Sequence, residues 1–275
     1  MDQHMRRVGR LPRRAGRETY GSRAALHQDM GAGLRERPMT LVLLPGFMTD
    51  PDLWADMLPS LAPLGPILHG DLSRDATIDA MARRVAAEAP DRFTLIGFSM
   101  GGYVAREITR LAPERVRALV LIATSPRADT PGQARRKTAA VDNVRRRGFS
   151  GLSRAAILGS IHPARAGDEA LIARIRRMGD RLGGDVFLRQ AGQARLSDSD
   201  RLGAITCPTL VVAAAQDGLR SLDEARELQA GIPGAALTVI AGSGHMLPME
   251  APDALAGAIL PWLRTQLSGA STIGS

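Results

Sequence analysis

Residues 95–105 read LIGFSMGGYVA, an apolar run followed by one serine set among glycines and then by a helix-like start. Gly97, Ser99 and Gly101 form a Gly-x-Ser-x-Gly pattern, and Gly102 follows directly. This pattern predicts a tight turn from a strand into a helix, in which glycine avoids collisions that a Cβ atom would cause. The serine hydroxyl is then exposed at the tip of the turn, beside helix N–H groups that stabilise developing negative charge. The stretch therefore predicts a nucleophilic serine.

Short apolar runs and helical patterns alternate on both sides of this turn. Apolar runs bounded by Gly, Pro or Asp are typical of buried strands, and Thr77 is a predicted N-cap. Strands that alternate with helices predict an α/β fold with a mainly parallel sheet flanked by helices. Strands are predicted at Leu41–Leu44, Phe93–Ile96, Ala118–Ile122, Leu210–Ala214 and Leu237–Ile240, and helices at about 78–88, 101–111 and 253–266.

The alternation is interrupted once, by an arginine-rich segment with a helical pattern. Ile172, Ile175 and Met178 have the spacing of a buried helical stripe in this segment. The first residues of the chain lack apolar periodicity, which predicts a basic, disordered tail. We therefore expect an α/β core at 39–126 and 201–267, a helical insertion at 127–200, and tails at 1–38 and 268–275.

The chain has a formal net charge of +8, with 36 Lys and Arg residues against 28 Asp and Glu residues. The positive excess lies in residues 1–38 and 127–200, and the remainder of the chain is net negative. Lys137 is the only lysine, and the chain is rich in arginine throughout. Aromatic residues make up only 3% of the chain and supply few platforms for stacking bases. We therefore predict no nucleic-acid partner.

No apolar run reaches the roughly 18 residues of a membrane-spanning helix, and no secretory pattern follows the N-terminal arginines. We predict a cytoplasmic protein without a membrane partner. Cys207 is the only cysteine, which excludes an intramolecular disulfide and a cysteine-based metal site. The chain lacks the His-x-x-x-His and G-x-G-x-x-G spacings, so neither a metal nor a cofactor is expected.

A serine hydroxyl is a poor nucleophile without a histidine base and an acid that orients the base. His245 follows a predicted strand in a glycine-rich loop, from which it can reach across the top of the sheet. Asp217 directly follows another predicted strand and is the favoured acid, with Asp129 as its rival. The other histidines are less suited: His4 and His27 lie in the tail, His69 ends an apolar run, and His162 precedes a proline.

The order Ser99, Asp217, His245, each after a predicted strand, resembles the α/β-hydrolase family over about residues 39–267. LIGFSMGGYVA resembles its nucleophile elbow, CPTLVVAAAQD its acid strand, and GSGHMLPMEAPDAL its histidine loop. The resemblance implies that the three residues form a catalytic triad and that the insertion is a cap over the active site. It also implies an oxyanion hole made by the backbone N–H groups of Phe47 and Met100. Pro45 stands where many members have histidine, which leaves the shape of that hole open.

The implied activity is hydrolysis of a small carboxylic ester or lactone through an acyl-enzyme on Ser99. Similar sites hydrolyse carbon–carbon bonds or form peracids, and some sensors keep the triad with slow turnover, so these alternatives stay open. The expected partner is the small-molecule substrate alone, and the chain is expected to be a monomer or homodimer. Four side chains are expected to line the substrate pocket: Met48, Phe98, Phe187 and Met246.

Two further points concern the surroundings of the site. Trp54 is expected to belong to the core rather than to the pocket, because large aromatic residues are more often buried in cores. The arginines of residues 127–200 raise the hypothesis of an acidic substrate, since a cleft lined by one sign of charge concentrates the opposite sign. Surface arginines on helices are usually just solvated, so the sequence leaves this hypothesis open.

Overall fold

The computed structural model of the chain describes residues 39–268. Its centre is one six-stranded sheet in the order β2-β1-β3-β4-β5-β6, and every neighbouring pair is parallel. The predicted α/β class is confirmed, and the predicted strands are each extended by one or two residues. The strands are β1 (Thr40–Leu44), β2 (Ile67–His69), β3 (Phe93–Phe98), β4 (Val116–Ile122), β5 (Thr209–Ala214) and β6 (Ala236–Ile240).

The helices begin where the sequence supplies caps. Thr77 Oγ1 accepts a hydrogen bond from Ala80 N, and Thr130 forms a capping box with Gln133. The α-helices are α1 (Leu58–Leu61), α2 (Ile78–Glu88), α3 (Met100–Leu111), α4 (Pro131–Arg147), α5 (Arg154–Leu158), α6 (Glu169–Ala191), α7 (Leu222–Gly231), α8 (Leu247–Glu250) and α9 (Pro252–Ser268). Short 3₁₀ turns cover Pro51–Trp54, Ala62–Leu64, Pro163–Arg165 and Ser199–Ala204.

The core lies on both faces of the sheet. In β1, Leu41 and Leu43 pack in one apolar cluster with residues of α9, whereas Val42 and Leu44 pack in another with residues of α2, α3 and α7. Strands buried on both faces therefore read as continuous apolar runs. Trp54 is fully buried in the first of these clusters.

Helices α4, α5 and α6 follow β4 and precede β5, within the predicted insertion. Ile172, Ile175 and Met178 of α6 are all buried and belong to the apolar cluster that contains α9. Helix α6 bends at Gly183, whose φ of 76° is readily adopted only by glycine. The tail predicted at residues 1–38 and nearly all of the one predicted at 268–275 lie outside the described residues.

Between residues 39 and 268, none of the helices combines the length and apolar character needed to cross a membrane. In the same part of the chain, no group of three or more His, Cys, Asp or Glu residues is arranged to hold a metal ion.

Cys207 is expected to resist alkylation in the folded protein. It is buried, and burial raises the pKa of its thiol to about 11, so little reactive thiolate is present at pH 8. Iodoacetamide at pH 8 should modify the native chain far more slowly than the chain in guanidinium chloride. Intact mass reports the reaction directly, because this thiol is the only one. Native alkylation as fast as that of N-acetylcysteine would contradict the burial.

Candidate active site

Ser99 occupies a strained turn between β3 and α3. Its φ of 50° and ψ of −110° lie outside the regions that non-glycine residues favour, a conformation that costs about 1–3 kcal/mol. Ser99 N donates to Ile122 O at 2.9 Å, and Thr124 Oγ1 donates to Ser99 O at 2.8 Å. A Cβ on Gly97 would lie 2.6 Å from Gly101 O. Gly97 is therefore needed for α3 to approach β3 this closely, and Gly101 is needed because its Cβ would collide with Leu44 O at the end of β1.

Ser99, His245 and Asp217 form one hydrogen-bonded chain. His245 Nε2 lies 2.9 Å from Ser99 Oγ, and His245 Nδ1 lies 2.8 Å from Asp217 Oδ2. The three residues follow β3, β6 and β5, whose carboxyl ends meet at one edge of the parallel sheet. Ser99 is 7% exposed and His245 is 5% exposed, so little water competes for these hydrogen bonds. The arrangement can move a proton from the serine hydroxyl to the imidazole.

The carboxylate of Asp217 is held by its own loop. Its Oδ1 accepts hydrogen bonds from the backbone N–H groups of Leu219, at 2.7 Å, and Arg220, at 2.9 Å. Its Oδ2 remains free for His245. The loop therefore fixes both the position of the carboxylate and the direction in which it faces the imidazole.

The rival acid, Asp129, has other partners. Its carboxylate accepts a hydrogen bond from Lys137 Nζ at 2.7 Å and pairs with Arg195. Burial raises the pKa of Asp129, but hydrogen bonds from Lys137 and the Arg195 backbone outweigh this effect and leave the pKa below its usual value. His245 Nδ1 is bonded to Asp217 instead.

The remaining histidines are not brought to Ser99. His69 is partly buried at the end of β2, where burial lowers its pKa. His162 Nδ1 accepts a hydrogen bond from Ala164 N. His4 and His27 lie outside the described residues. Of the histidines at 39–268, only His245 is hydrogen-bonded to Ser99.

The histidine loop is braced by the insertion. Met246 N donates to Ser160 O and to Glu250 Oε1, both at 3.1 Å. The second carboxylate oxygen of Glu250 accepts a hydrogen bond from His162 N at 2.6 Å. One carboxylate therefore joins the residue next to His245 to the segment that follows α5.

The loop after β1 passes over Ser99. A Cβ on Gly46 would lie 2.9 Å from the Phe98 ring and 3.3 Å from Ser99 Cβ, so the absence of a side chain lets this backbone approach the serine closely. The N–H of Gly46 donates to Thr49 Oγ1 at 2.8 Å, and the N–H of Met48 donates to Gln190 Oε1 at 2.9 Å. The N–H of Phe47, which lies between them, has no acceptor among the described residues. It therefore remains available to a ligand.

Helix α6 holds this loop through charged and polar side chains that the sequence analysis missed. Arg174 Nε donates to Asp52 Oδ1 at 3.0 Å, and Arg181 Nε donates to Asp50 Oδ2 at 2.7 Å. Burial raises the pKa of Asp52, but the opposing effect of Arg181 and Arg174 is larger, so the pKa lies below its usual value. These partners are separated by more than a hundred residues, and no local pattern links them.

A cavity of about 1220 Å³ opens onto Ser99 and His245. Phe98, Phe187 and Met246 line it, as the sequence analysis expects, and so do Phe47 and Met100. The ring centroids of Phe47 and Phe187 are 5.6 Å apart, and those of Phe98 and His245 are 5.1 Å apart. These rings give the cavity an apolar wall beside the serine.

Met48 does not line this cavity, contrary to the sequence-based expectation. Its side chain is fully buried and packs in an apolar cluster with Val141, Val186 and Ala191. The reason is conformational: Met48 has a φ of 51°, and its N–H is bound by Gln190 of α6. This backbone directs the side chain under α4 and α6 rather than toward Ser99.

A family model described as the alpha/beta hydrolase fold matches residues 71–252, well over half of the chain. The chain belongs to the alpha/beta hydrolase fold family. The match covers the serine, the aspartate and the histidine of the hydrogen-bonded chain, and it confirms the resemblance drawn from the three sequence stretches.

Among curated proteins, this alpha/beta hydrolase is similar to the pimeloyl-[acyl-carrier protein] methyl ester esterase of Klebsiella pneumoniae subsp. pneumoniae, with 38% identity over 104 residues. The aligned part is 34% of this chain, and the chain spans only 40% of the length of that relative. The same kind of esterase from Aromatoleum aromaticum is 37% identical over 93 residues, which is 31% of this chain and 37% of that protein.

Two solved structures resemble the whole described fold. A thermophilic esterase from Thermogutta terrifontis, solved with malate bound, has a TM-score of 0.76 and 28% identity, covering 84% of this chain and 91% of that chain. The enol-lactonase from Burkholderia xenovorans LB400 has a TM-score of 0.73 and 20% identity, covering 83% of this chain and 92% of that chain. At 20% identity the enol-lactonase supports the shared fold alone.

Proposed function

We propose that the chain is a serine hydrolase that cleaves a small carboxylic ester or lactone through an acyl-enzyme on Ser99. One observation carries the proposal, namely the hydrogen-bonded chain from Ser99 Oγ through His245 to Asp217, at 2.9 and 2.8 Å. A buried serine in this arrangement has a base for its proton, and the base has a carboxylate that orients it.

In the proposed mechanism, His245 Nε2 accepts the Ser99 proton as Oγ attacks the ester carbonyl. Asp217 keeps the proton of His245 on Nδ1 and stabilises the imidazolium that forms. The N–H groups of Phe47 and Met100 donate to the oxyanion, and each such donor contributes about 3–4 kcal/mol to transition-state stabilisation. His245 then protonates the leaving alcohol, and the same base activates the water that releases the acid.

The relatives support ester chemistry. The Klebsiella protein is a methyl ester esterase, and the Thermogutta protein is an esterase at 28% identity over most of both chains. Carbon–carbon bond hydrolysis, peracid formation and slow-turnover sensing are alternatives that use the same hydrogen-bonded chain. None of these alternatives has a supporting observation of its own in the described residues.

The first experiment measures release of p-nitrophenol from the acetate and butyrate esters, together with labelling by a fluorophosphonate and intact mass. The proposal expects turnover and a single adduct on Ser99. Labelling without turnover of any ester would favour the sensor alternative. Absence of both labelling and turnover would contradict a nucleophilic serine.

Gln190 is expected to act as a positioning residue for the loop that carries Phe47. It is buried, accepts from Met48 N at 2.9 Å and donates to Leu72 O at 3.0 Å. Gln190→Leu leaves the Met48 N–H without an acceptor and loosens the oxyanion loop, so kcat should fall by about tenfold. The KM for p-nitrophenyl butyrate should change less, because the apolar wall of the cavity is retained.

The control for this prediction is Gln229→Leu, which changes an exposed glutamine on α7 and should leave kcat and KM unaltered. A Gln190→Leu protein that folds normally and keeps the wild-type kcat would show that the loop holds its shape without this side chain.

A further inference from the structure

The wall of the cavity carries more cations than anions. Its three carboxylates are all engaged by arginines: Asp79 by Arg83 at 3.0 Å, Glu107 by Arg110 at 2.7 Å, and Asp198 by Arg106 at 2.8 Å. The six cations of the wall are Arg110, Arg136, Lys137, Arg195, Arg201 and Arg220. The excess is positive even after these ion pairs form.

Four of those cations have carboxylate partners. Arg110 and Arg201 pair with Glu107, and Lys137 and Arg195 pair with Asp129. The cations left over are Arg136 and Arg220, for which residues 39–268 supply no ion pair. Arg136 is exposed on α4, in the predicted insertion, whereas Arg220 is partly buried in the loop that carries Asp217.

Arg220 differs from the paired cations of the cavity wall because its partly buried guanidinium has no carboxylate partner among residues 39–268. Within the described part of the chain, its Nη1 donates only to Leu219 O, at 2.8 Å, and its Nε is buried without a hydrogen-bond acceptor. A charged group withdrawn from water without an acceptor is costly. A guanidinium in this state is complemented best by a carboxylate or another oxyanion, because the hydrogen bonds are then charge-assisted.

The backbone beneath Arg220 is fixed by the hydrogen-bonded chain described above. Its own N–H donates to Asp217 Oδ1 at 2.9 Å, and the preceding N–H, that of Leu219, donates to the same oxygen at 2.7 Å. The side chain lines the same cavity as Ser99 and His245. Asp217 therefore contacts both the backbone of Arg220 and the imidazole of His245. A substrate held by Arg220 would be positioned relative to Ser99 through this aspartate.

We propose that Arg220 binds an anionic group of the substrate, so that the preferred substrates are esters with a carboxylate in their acyl part, such as monoesters of dicarboxylic acids. This inference rests on the proposed function and specifies its substrate class. It also assigns the preference for acidic substrates to a residue outside the arginine-rich insertion. The arginines of residues 127–200 mostly pair with carboxylates or face solvent, whereas Arg220 belongs to the loop of the core that carries Asp217.

The test compares two substrates of equal length, the 4-nitrophenyl monoester of adipic acid and the 4-nitrophenyl ester of adipamic acid, in which a neutral amide replaces the carboxylate. At low salt, wild type is expected to have a kcat/KM about tenfold higher for the carboxylate ester. Added NaCl should reduce this preference by screening. In Arg220→Gln the preference should disappear, and Arg220→Lys should restore part of it.

The matched control is Arg135→Gln, which changes an exposed arginine of α4 that does not line the cavity. Arg135→Gln should leave both rates unchanged. The inference is overturned if wild type hydrolyses the two esters equally, or if Arg220→Gln lowers both rates by the same factor. Hydrolysis of neither ester, without labelling of Ser99, would instead contradict the proposed function, and with it this inference.

Discussion

Ser99→Ala is expected to lower kcat/KM for p-nitrophenyl esters by at least about 10⁴-fold. Among residues 39–268, the Ser99 hydroxyl is the only group hydrogen-bonded to His245 Nε2, at 2.9 Å, so in the proposed mechanism its removal leaves the base without a nucleophile to activate. His245→Ala should have a similar effect, because the serine then has no group to accept its proton. The double variant should be no slower than either single variant, since the two residues act as one unit. Steady-state rates with p-nitrophenyl butyrate measure all three.

The control for these variants is Ser150→Ala. Ser150 lines the same cavity, is exposed, and has no histidine partner among residues 39–268, so its loss should change the rate by less than about twofold. Far-ultraviolet circular dichroism should be identical for every variant, because Ser99 contributes little to the packing. Substantial activity in Ser99→Ala would mean that another group forms the acyl-enzyme, and the proposed mechanism would be wrong.

Arg106→Met is expected to destabilise the fold by about 3–5 kcal/mol. Arg106 is 0% exposed, and its guanidinium makes two hydrogen bonds to Asp198, at 2.8 and 2.9 Å, and one to Ser125 O at 2.9 Å. Removal of the cation leaves the buried carboxylate of Asp198 with Arg110 as its one remaining ion-pair partner in the described region. The free energy of unfolding in urea, followed by circular dichroism, measures the loss.

An exposed ion pair supplies the comparison. Arg226 and Asp223 on α7 are 2.8 Å apart, with 64% and 72% of their side chains exposed. Solvent screens such a pair, so Arg226→Met should cost less than about 1 kcal/mol. The double variant Arg106→Met with Asp198→Leu should recover part of the lost stability, because no buried charge is then left alone. A loss in Arg106→Met no larger than that in Arg226→Met would show that water enters the site.

The Arg106–Asp198 pair also joins α3, the helix behind Ser99, to the segment that follows α6. Arg106 lies on α3, the helix that begins directly after the strained turn of Ser99, and Asp198 follows α6. Because α3 supplies the N–H of Met100, we expect stability and oxyanion binding to be lost together in Arg106→Met. Its kcat, measured below the onset of unfolding, reports the second effect.

The sequence by itself determined the features that depend on short stretches of chain. The glycine at 97 can be predicted because its Cβ would collide with Gly101 O of the same turn, whereas a Cβ at Gly101 is excluded by the backbone of Leu44 and Pro45 at the end of β1. The parallel sheet can be predicted because strands buried on both faces read as apolar runs. The meeting of Ser99, Asp217 and His245, each of which follows a strand, can be predicted from the parallel topology, which brings the carboxyl ends of their strands to one edge.

The tertiary structure alone decided the contacts between residues far apart in the sequence. Gln190 and Met48 are 142 positions apart, and their hydrogen bond depends on where α6 packs. Met48 faces the core rather than the cavity for the same reason. Arg220 is partly buried in the cavity wall without a carboxylate partner among residues 39–268, a state that only the packing around it reveals. Backbone conformation and periodic burial are local properties, so a short stretch of sequence predicts them. The partner of a buried polar group is determined by the packing of elements that are distant in the sequence.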